Sequence, residues 1–222
     1  MLEQFKNIHK GETMLFVGLG KNQALTPLEQ LDYPSISVNS VHKHPTFKPD
    51  YYTCVDKSNW TDYGDVIATK FADIPKFIPE RMAKWKGDNF FLFRGEIAKS
   101  WSNGEKPMWQ EDISREITYE NITHVALKLL YHMGAKNILI VGMEHKPNES
   151  HVHFWGVDEE HGTSEDYVKR WFEGYREIAE GLKSKGVTVL NLSPETYVPE
   201  DVIPRDDWRN WIREKEYAKF DR

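Results

Sequence analysis

Asn121-Ile-Thr-His-Val-Ala-Leu-Lys-Leu-Leu-Tyr-His-Met-Gly134, followed two residues later by Asn137-Ile-Leu-Ile-Val-Gly142, decides the fold class. The first stretch carries apolar residues at helical spacing and stops at a glycine. The second is a short, uninterrupted apolar run, the signature of a strand buried on both faces. A helix feeding such a strand is one α/β unit. In open α/β sheets ligands gather at the carboxyl ends of strands. The polar residues after this strand are Met143-Glu144-His145 and then Ser150-His151-Val152-His153-Phe154, which makes that loop the place to look for chemistry.

The amino-terminal region holds the counterpart. Met14-Leu15-Phe16-Val17 is a second buried run, and it enters Gly18-Leu19-Gly20-Lys21-Asn22. Glycine after a strand lets the backbone approach a phosphate or ribose, and amides at the following helix start favour an anion. The same pair also serves a tight turn with no ligand. Two further strands follow: Ser35–Asn39, ending in Asn39, and Tyr51–Val55, ending at Asp56. Ile36–Val38, Tyr52–Val55, Met14–Val17 and Ile138–Val141 are expected as neighbours in one sheet.

Between them, Thr26-Pro27-Leu28-Glu29 has the signals of a capped helix start, with Leu25, Leu28 and Leu31 toward the sheet. Asp65–Phe71 and Pro79–Trp85 read as short helices, Asn89–Arg94 as a strand, and 95–110 and 143–163 as long loops. Ser164–Lys185 reads as the longest helix, capped through Thr163 and Asp166, with Tyr167, Trp171, Tyr175, Ile178 and Leu182 on one face. A late strand spans Val187–Asn191, and 206–219 suggest a terminal amphipathic helix. Strands alternating with helices predict a single Rossmann-like α/β domain over 1–222. Its central sheet is mostly parallel and flanked by helices, with a helical extension from about 200 to 222.

Bulk composition narrows the function classes. The chain has 222 residues and a formal net charge of −6, which argues against general nucleic-acid binding. A lone cysteine, Cys54, excludes an intrachain disulfide and cysteine-based zinc clusters. No apolar stretch reaches the length of a membrane span, and Met-Leu-Glu-Gln-Phe-Lys lacks a signal-peptide core. A cytoplasmic location is the expectation. There is no Walker P-loop. The dinucleotide pattern G-x-G-x-x-G fails because position 23 is Gln, and the second strand ends in Asn39 rather than an acid, which disfavours a dehydrogenase.

Several residues, taken together, resemble a family. They are the Gly18-Leu19-Gly20 turn, Asn39, Lys48-Pro49-Asp50-Tyr51-Tyr52 leading to Asp56, and Thr123 with Ala126-Leu127. Gly134-Ala135-Lys136-Asn137-Ile138 and Val141-Gly142 complete the set. The order is similar to that of the Rossmann-like group containing the MptE-like proteins (6-hydroxymethylpterin diphosphokinase-like) and the family-42 sialyltransferases, over roughly residues 12–195. The resemblance implies a nucleotide held by the glycine turn and Asn39, and a late-loop histidine as general base. The sequence departs from the pattern at Lys21-Asn22, where Pro-Ser is usual, and at Glu144, one step beyond a common Asp.

The candidate site is therefore Gly18, Gly20, Lys21, Asn22, Asn39, Asp56, Arg94 and Thr123 for a nucleotide, with His153 and then His151 as catalytic residues. If extended, His151 and His153 project to one face. A general base, a metal ligand and a solvated loop all remain open readings of that pair. The expected function is nucleotide-donor-dependent group transfer, foremost glycosyl transfer to a hydroxyl acceptor, with a nucleotide or nucleotide sugar as donor. The alternatives are an Mg²⁺-dependent diphosphokinase acting on a pterin-like alcohol, using carboxylates such as Asp56 and Glu144, and an accessory protein that keeps the fold without turnover.

Overall fold

A computed structural model describes residues 2–85, 87–98, 107–147 and 150–212, except for the side chains of residues 85, 150–152 and 157–162. Its strands, in chain order, are β1 (Thr13–Val17), β2 (Ser35–Val38), β3 (Tyr51–Thr53), β4 (Lys76–Pro79), β5 (Phe90–Phe93) and β6 (Gly95–Ile97). They continue as β7 (Ile117–Tyr119), β8 (Asn137–Val141), β9 (Ser150–His153), β10 (Gly156–Gly162) and β11 (Thr188–Asn191). The α-helices are α1 (Leu28–Leu31), α2 (Lys57–Lys70), α3 (Ile122–His132) and α4 (Glu165–Ser184).

Seven strands form one sheet in the order β11-β8-β1-β2-β3-β4-β5, and every adjacent pair is parallel. The expected set of neighbours is found: β8, β1, β2 and β3 lie side by side. From β1 the chain steps outward through β2, β3, β4 and β5. It then returns through α3 to β8 on the opposite flank of β1. The order thus reverses between β1 and β8, and a crevice at such a switch point is the usual ligand site of an open α/β sheet.

The apolar runs explain the centre of the sheet. Met14–Val17 and Ile138–Val141 are all buried, as strands covered on both faces must be. The polar residues of β2 and β3 are reconciled by hydrogen bonds: Ser37 Oγ donates to the Val17 carbonyl (2.6 Å) and Thr53 Oγ1 to that of Phe77 (2.9 Å). Asn121 caps α3 by accepting the His124 amide (3.2 Å). Gly134 ends the turn at a positive φ of 96°. Almost all of α3 is buried, because it packs against both the sheet and α4.

Several sequence expectations need correction. Thr26 does not cap α1; its hydroxyl donates to the Asn22 carbonyl (3.1 Å). Leu28 and Leu31 are buried, but Leu25 is 65% exposed, because it lies in the 3-10 turn Lys21–Leu25 before the helix. The second helix begins at Lys57, not Asp65, with Asp56 as its cap. Strand β4 was hidden by its charged first residue: buried Lys76 donates to the Ile74 carbonyl (2.9 Å) and lies over the Phe90 ring (4.9 Å). Glu80–Trp85 is a kinked 3-10 segment. Strands β6 and β7 pair in parallel beside the main sheet, and the loop expected over 143–163 carries the antiparallel hairpin β9–β10. Ser164, not Thr163, precedes α4, and Tyr167 is 54% exposed while Val168 takes the buried position. Of the expected terminal helix, 208–212 are helical and 213–222 lie outside the described residues.

Candidate functional site

A cavity of about 1500 Å³ opens at the carboxyl ends of the central strands. Gly18, Gly20 and Lys21 after β1, Asn39 after β2, Asp56 after β3, Thr123 of α3, Glu144 and His145 after β8, and His153 of β9 all line it. Four of the sequence-derived site residues have other partners or lie elsewhere. Asn22 is fully buried and does not line the cavity; its Nδ2 donates to the Glu195 carbonyl (2.9 Å). Arg94 lies on the edge strand's end with an exposed side chain, in an ion pair with Glu116 (3.3 Å), and is not among the lining residues. His151 has its backbone in β9, but its side chain lies outside the described residues. Lys21 is tied to Glu195 across the cavity rim (2.5 Å), and that partner raises its pKa.

The glycine turn is built for close approach. The Gly18 amide donates to the Val141 carbonyl (2.8 Å) and the Gly20 amide to that of Gly142 (3.0 Å), so the turn continues the β1–β8 pairing past the end of the sheet. A Cβ on Gly18 would overlap the Gly142 carbonyl, and one on Gly142 would stand 2.9 Å from the Gly18 oxygen. A Cβ on Gly20 would overlap the carboxylate of Glu144 instead. Glu144 reaches back into the turn, where Oε1 accepts the Asn22 amide (3.2 Å). The amides that a Rossmann turn usually offers to a phosphate are therefore committed at Gly18, Gly20 and Asn22.

Burial pushes the pKa of Glu144 up to about 7, against the pull of the Asn22 hydrogen bonds and the Lys21 charge. The folded chain thus keeps this proton up to about pH 7, whereas an exposed carboxyl releases it near its ordinary 4.5. The associated stability is present in full below about pH 4.5 and is lost as pH rises to about 7. Its magnitude is on the order of 3 kcal/mol. Glu144→Gln should remove this dependence. The difference in unfolding free energy between the two chains, followed by urea titration, should move in favour of the variant across that interval. A difference independent of pH would contradict it.

Asn39 has the backbone of a special position, with φ 42°, in the left-handed region that Asn tolerates better than most residues. Its carbonyl accepts the Tyr52 hydroxyl (2.9 Å). Its sheltered Oδ1 has no hydrogen-bond partner among the described residues. Asp56, by contrast, is engaged: Oδ1 accepts both the amide (3.1 Å) and the hydroxyl (2.8 Å) of Ser58.

The β9–β10 hairpin lies over the glycine turn. His153 forms an antiparallel bridge with Gly20, and the Phe154 amide donates to the Leu19 carbonyl (3.0 Å). The imidazole of His153 stacks on Trp155 at 4.3 Å and 12°. Lys43 Nζ sits 4.6 Å over the same indole, and Phe154 packs against His44 (5.3 Å). These contacts bring His153 into the crevice shared by Gly20 and Asn39.

A further group of lining residues was not foreseen. Tyr119, Glu120 and Asn121 at the β7–α3 junction, Ile97 at the end of β6, and Val168 and Trp171 of α4 also line the cavity. Asn121 Nδ2 donates to the Tyr175 hydroxyl (2.8 Å), which also lies 2.8 Å from His145 Nε2; the His145 and Tyr175 rings stack at 5.5 Å. The sequence marked Asn121 only as the start of a helix and Trp171 only as part of a helix face. Among the described residues no three His, Cys, Asp or Glu side chains gather to hold a metal ion, and no helix is long and apolar enough to cross a membrane.

No protein-family model matches the chain, and no curated protein matches it. Among solved structures the fold is similar to that of the MAf glycosyltransferase from Magnetospirillum magneticum AMB-1, with a TM-score of 0.55 and 10% sequence identity. The match covers 98% of this chain and 40% of the other, so this chain spans less than half the length of that enzyme. The likeness is one of fold.

Proposed function

We propose that this chain is a group transferase that takes a nucleotide-linked donor in the switch-point cavity and passes a glycosyl group to a hydroxyl acceptor. The observation that carries the reading is the meeting of Asn39, with its unpartnered Oδ1, and His153, bridged to Gly20, across one cavity at the β1–β8 ends. The fold likeness to a glycosyltransferase supports it, as does the resemblance of the glycine turn and Asn39 to the MptE-like and family-42 sialyltransferase pattern.

In this reading Asn39 Oδ1 accepts a hydrogen bond from the donor's ribose or base. Gly18 and Gly20 border the donor as cavity lining, while the space beside their Cα atoms is taken by the Gly142 carbonyl and the Glu144 carboxylate. Because the Gly18, Gly20 and Asn22 amides are occupied, donor phosphate charge falls to side chains such as Lys43 and Arg81, which also line the cavity. The acceptor oxygen attacks the anomeric carbon. The bond from that carbon to the phosphate oxygen breaks, and its electron pair leaves with the phosphate. His153 takes the acceptor proton. The Mg²⁺-dependent diphosphokinase reading stands second, because among the described residues Asp56 and Glu144 are not gathered with a further His, Cys, Asp or Glu side chain into a metal-holding group.

A thermal-shift panel of nucleotides and nucleotide sugars, with and without Mg²⁺, tests this choice. A donor at a hundred times its dissociation constant should add about 2.7 kcal/mol of stability. A cytidine-nucleotide response without Mg²⁺ favours glycosyl transfer, and an ATP response that requires Mg²⁺ favours the diphosphokinase. No response to any nucleotide would favour an accessory protein and contradict the proposal.

A further inference from the structure

We propose that the end of the cavity between β6–β7 and the first turns of α4 is an acceptor subsite for an uncharged, hydroxyl-bearing ring, held by the carboxylate of Glu120 and the indole face of Trp171. The inference rests on the transferase reading above and adds the chemistry of the second substrate.

Three observations meet there. Glu120 lines the cavity, and its Oε2 is sheltered from solvent without a hydrogen-bond partner among the described residues. A carboxylate oxygen only accepts, so its partner is a donor, either a ligand hydroxyl or the likewise unpartnered Nε of neighbouring Arg170. Leaving such an atom buried and unmade costs free energy that a ligand hydroxyl would recover. Second, Trp171 is half-buried on α4 and faces the same space, tilted against His145 at 5.3 Å. Third, Ile97 keeps 48% of its surface exposed at the end of β6, beside its strand partner Tyr119, and it too lines the cavity. An apolar wall, an aromatic side chain and a sheltered, unpartnered carboxylate oxygen at the cavity's edge suit a ring with C–H faces and hydroxyl edges. An acidic ring would set its own carboxylate against Glu120. Burial raises the pKa of Glu120 and the nearby Arg170 charge lowers it, which fits a sheltered carboxyl beside a cation.

Saturation-transfer NMR on the full chain tests the subsite, using methyl glucoside, methyl galactoside and methyl mannoside with methyl glucuronide as the acidic control. At least one neutral glycoside should receive saturation, and the glucuronide should not. Glu120→Gln and Trp171→Ala should each weaken that binding by about tenfold. Trp171→Phe keeps the packing if the alanine chain fails to fold, and it should retain binding in part. Nucleotide affinity, measured on the same samples, should be unchanged in Glu120→Gln. Absence of saturation for every neutral glycoside in a chain that binds a nucleotide would overturn the subsite and leave the donor reading standing. Glucuronide binding as strong as the neutral ring's, or full binding in folded Glu120→Gln and Trp171→Phe chains, would also overturn it. Neutral glycoside binding in a chain that binds no nucleotide would support the subsite and reject the donor reading.

Discussion

His153→Ala should lower turnover by roughly 10²–10⁴-fold, the usual span for a lost acid–base group, while donor affinity changes little. The imidazole lies on Trp155 and its backbone is bridged to Gly20, so its position is set by the hairpin and does not depend on ligand. The alanine substitution leaves the Phe154 amide bonded to Leu19, which keeps the hairpin over the turn. The pH–rate profile should lose its acidic limb in the variant, since a general base must be deprotonated to act. Near-normal turnover with that limb intact would move proton transfer elsewhere. His145, which lines the same cavity, and His151 would then be the next substitutions.

The largest effect on stability is expected at Gly18. A methyl group there runs into the backbone carbonyl of Gly142, and the backbone of β8's end cannot step aside without breaking the Gly18–Val141 and Gly20–Gly142 hydrogen bonds. Gly18→Ala should therefore destabilise the chain by about 1–3 kcal/mol or more. Gly87→Ala is the control: the added methyl group meets only the Phe90 ring at 3.7 Å, and the change should lie within about 0.5 kcal/mol. Equal midpoints in urea for wild type and Gly18→Ala would contradict the close approach. Gly20 differs in kind, because the obstacle there is the end of the Glu144 side chain, which can rotate. A Gly20→Val chain should keep its circular dichroism and lose nucleotide binding in calorimetry. Undiminished binding would remove the turn from the site.

The centre of the fold was legible because its strands are read by burial alone: Met14–Val17 and Ile138–Val141 admit no other account. The edges were not. Lys76 opens β4 with a charge that the strand buries through one carbonyl and one ring, and no periodicity announces that. The hairpin after β8 is polar, and its register comes from pairing with its own partner strand and with the Gly20 turn. Strand ends and residue chemistry brought Gly18, Gly20, Asn39 and His153 to one crevice, and all four line the cavity. What the glycines touch was not visible. The carboxylate that fills the space at Gly20 comes from a residue 122 positions beyond the Asn22 amide it accepts. Glu120 and Trp171 carry no local signal of a site either, since they come to line one cavity only when the start of α3 packs beside α4. Arg94 looked like a ligand group because it ends an apolar strand, but that strand is the outermost one, away from the switch point.

The claim that the cavity binds a nucleotide through Asn39 is tested most directly by calorimetric titration of CMP, UDP, GDP and ADP into wild type and Asn39→Gly. Glycine accepts the φ of 42° without strain, so the variant removes the side chain and leaves the backbone in place. At least one nucleotide should bind the wild type, with affinity about 2- to 10-fold weaker in Asn39→Gly, the cost of one hydrogen bond. Binding of equal strength in both chains, or no binding of any of the four to the folded wild type, would contradict the account.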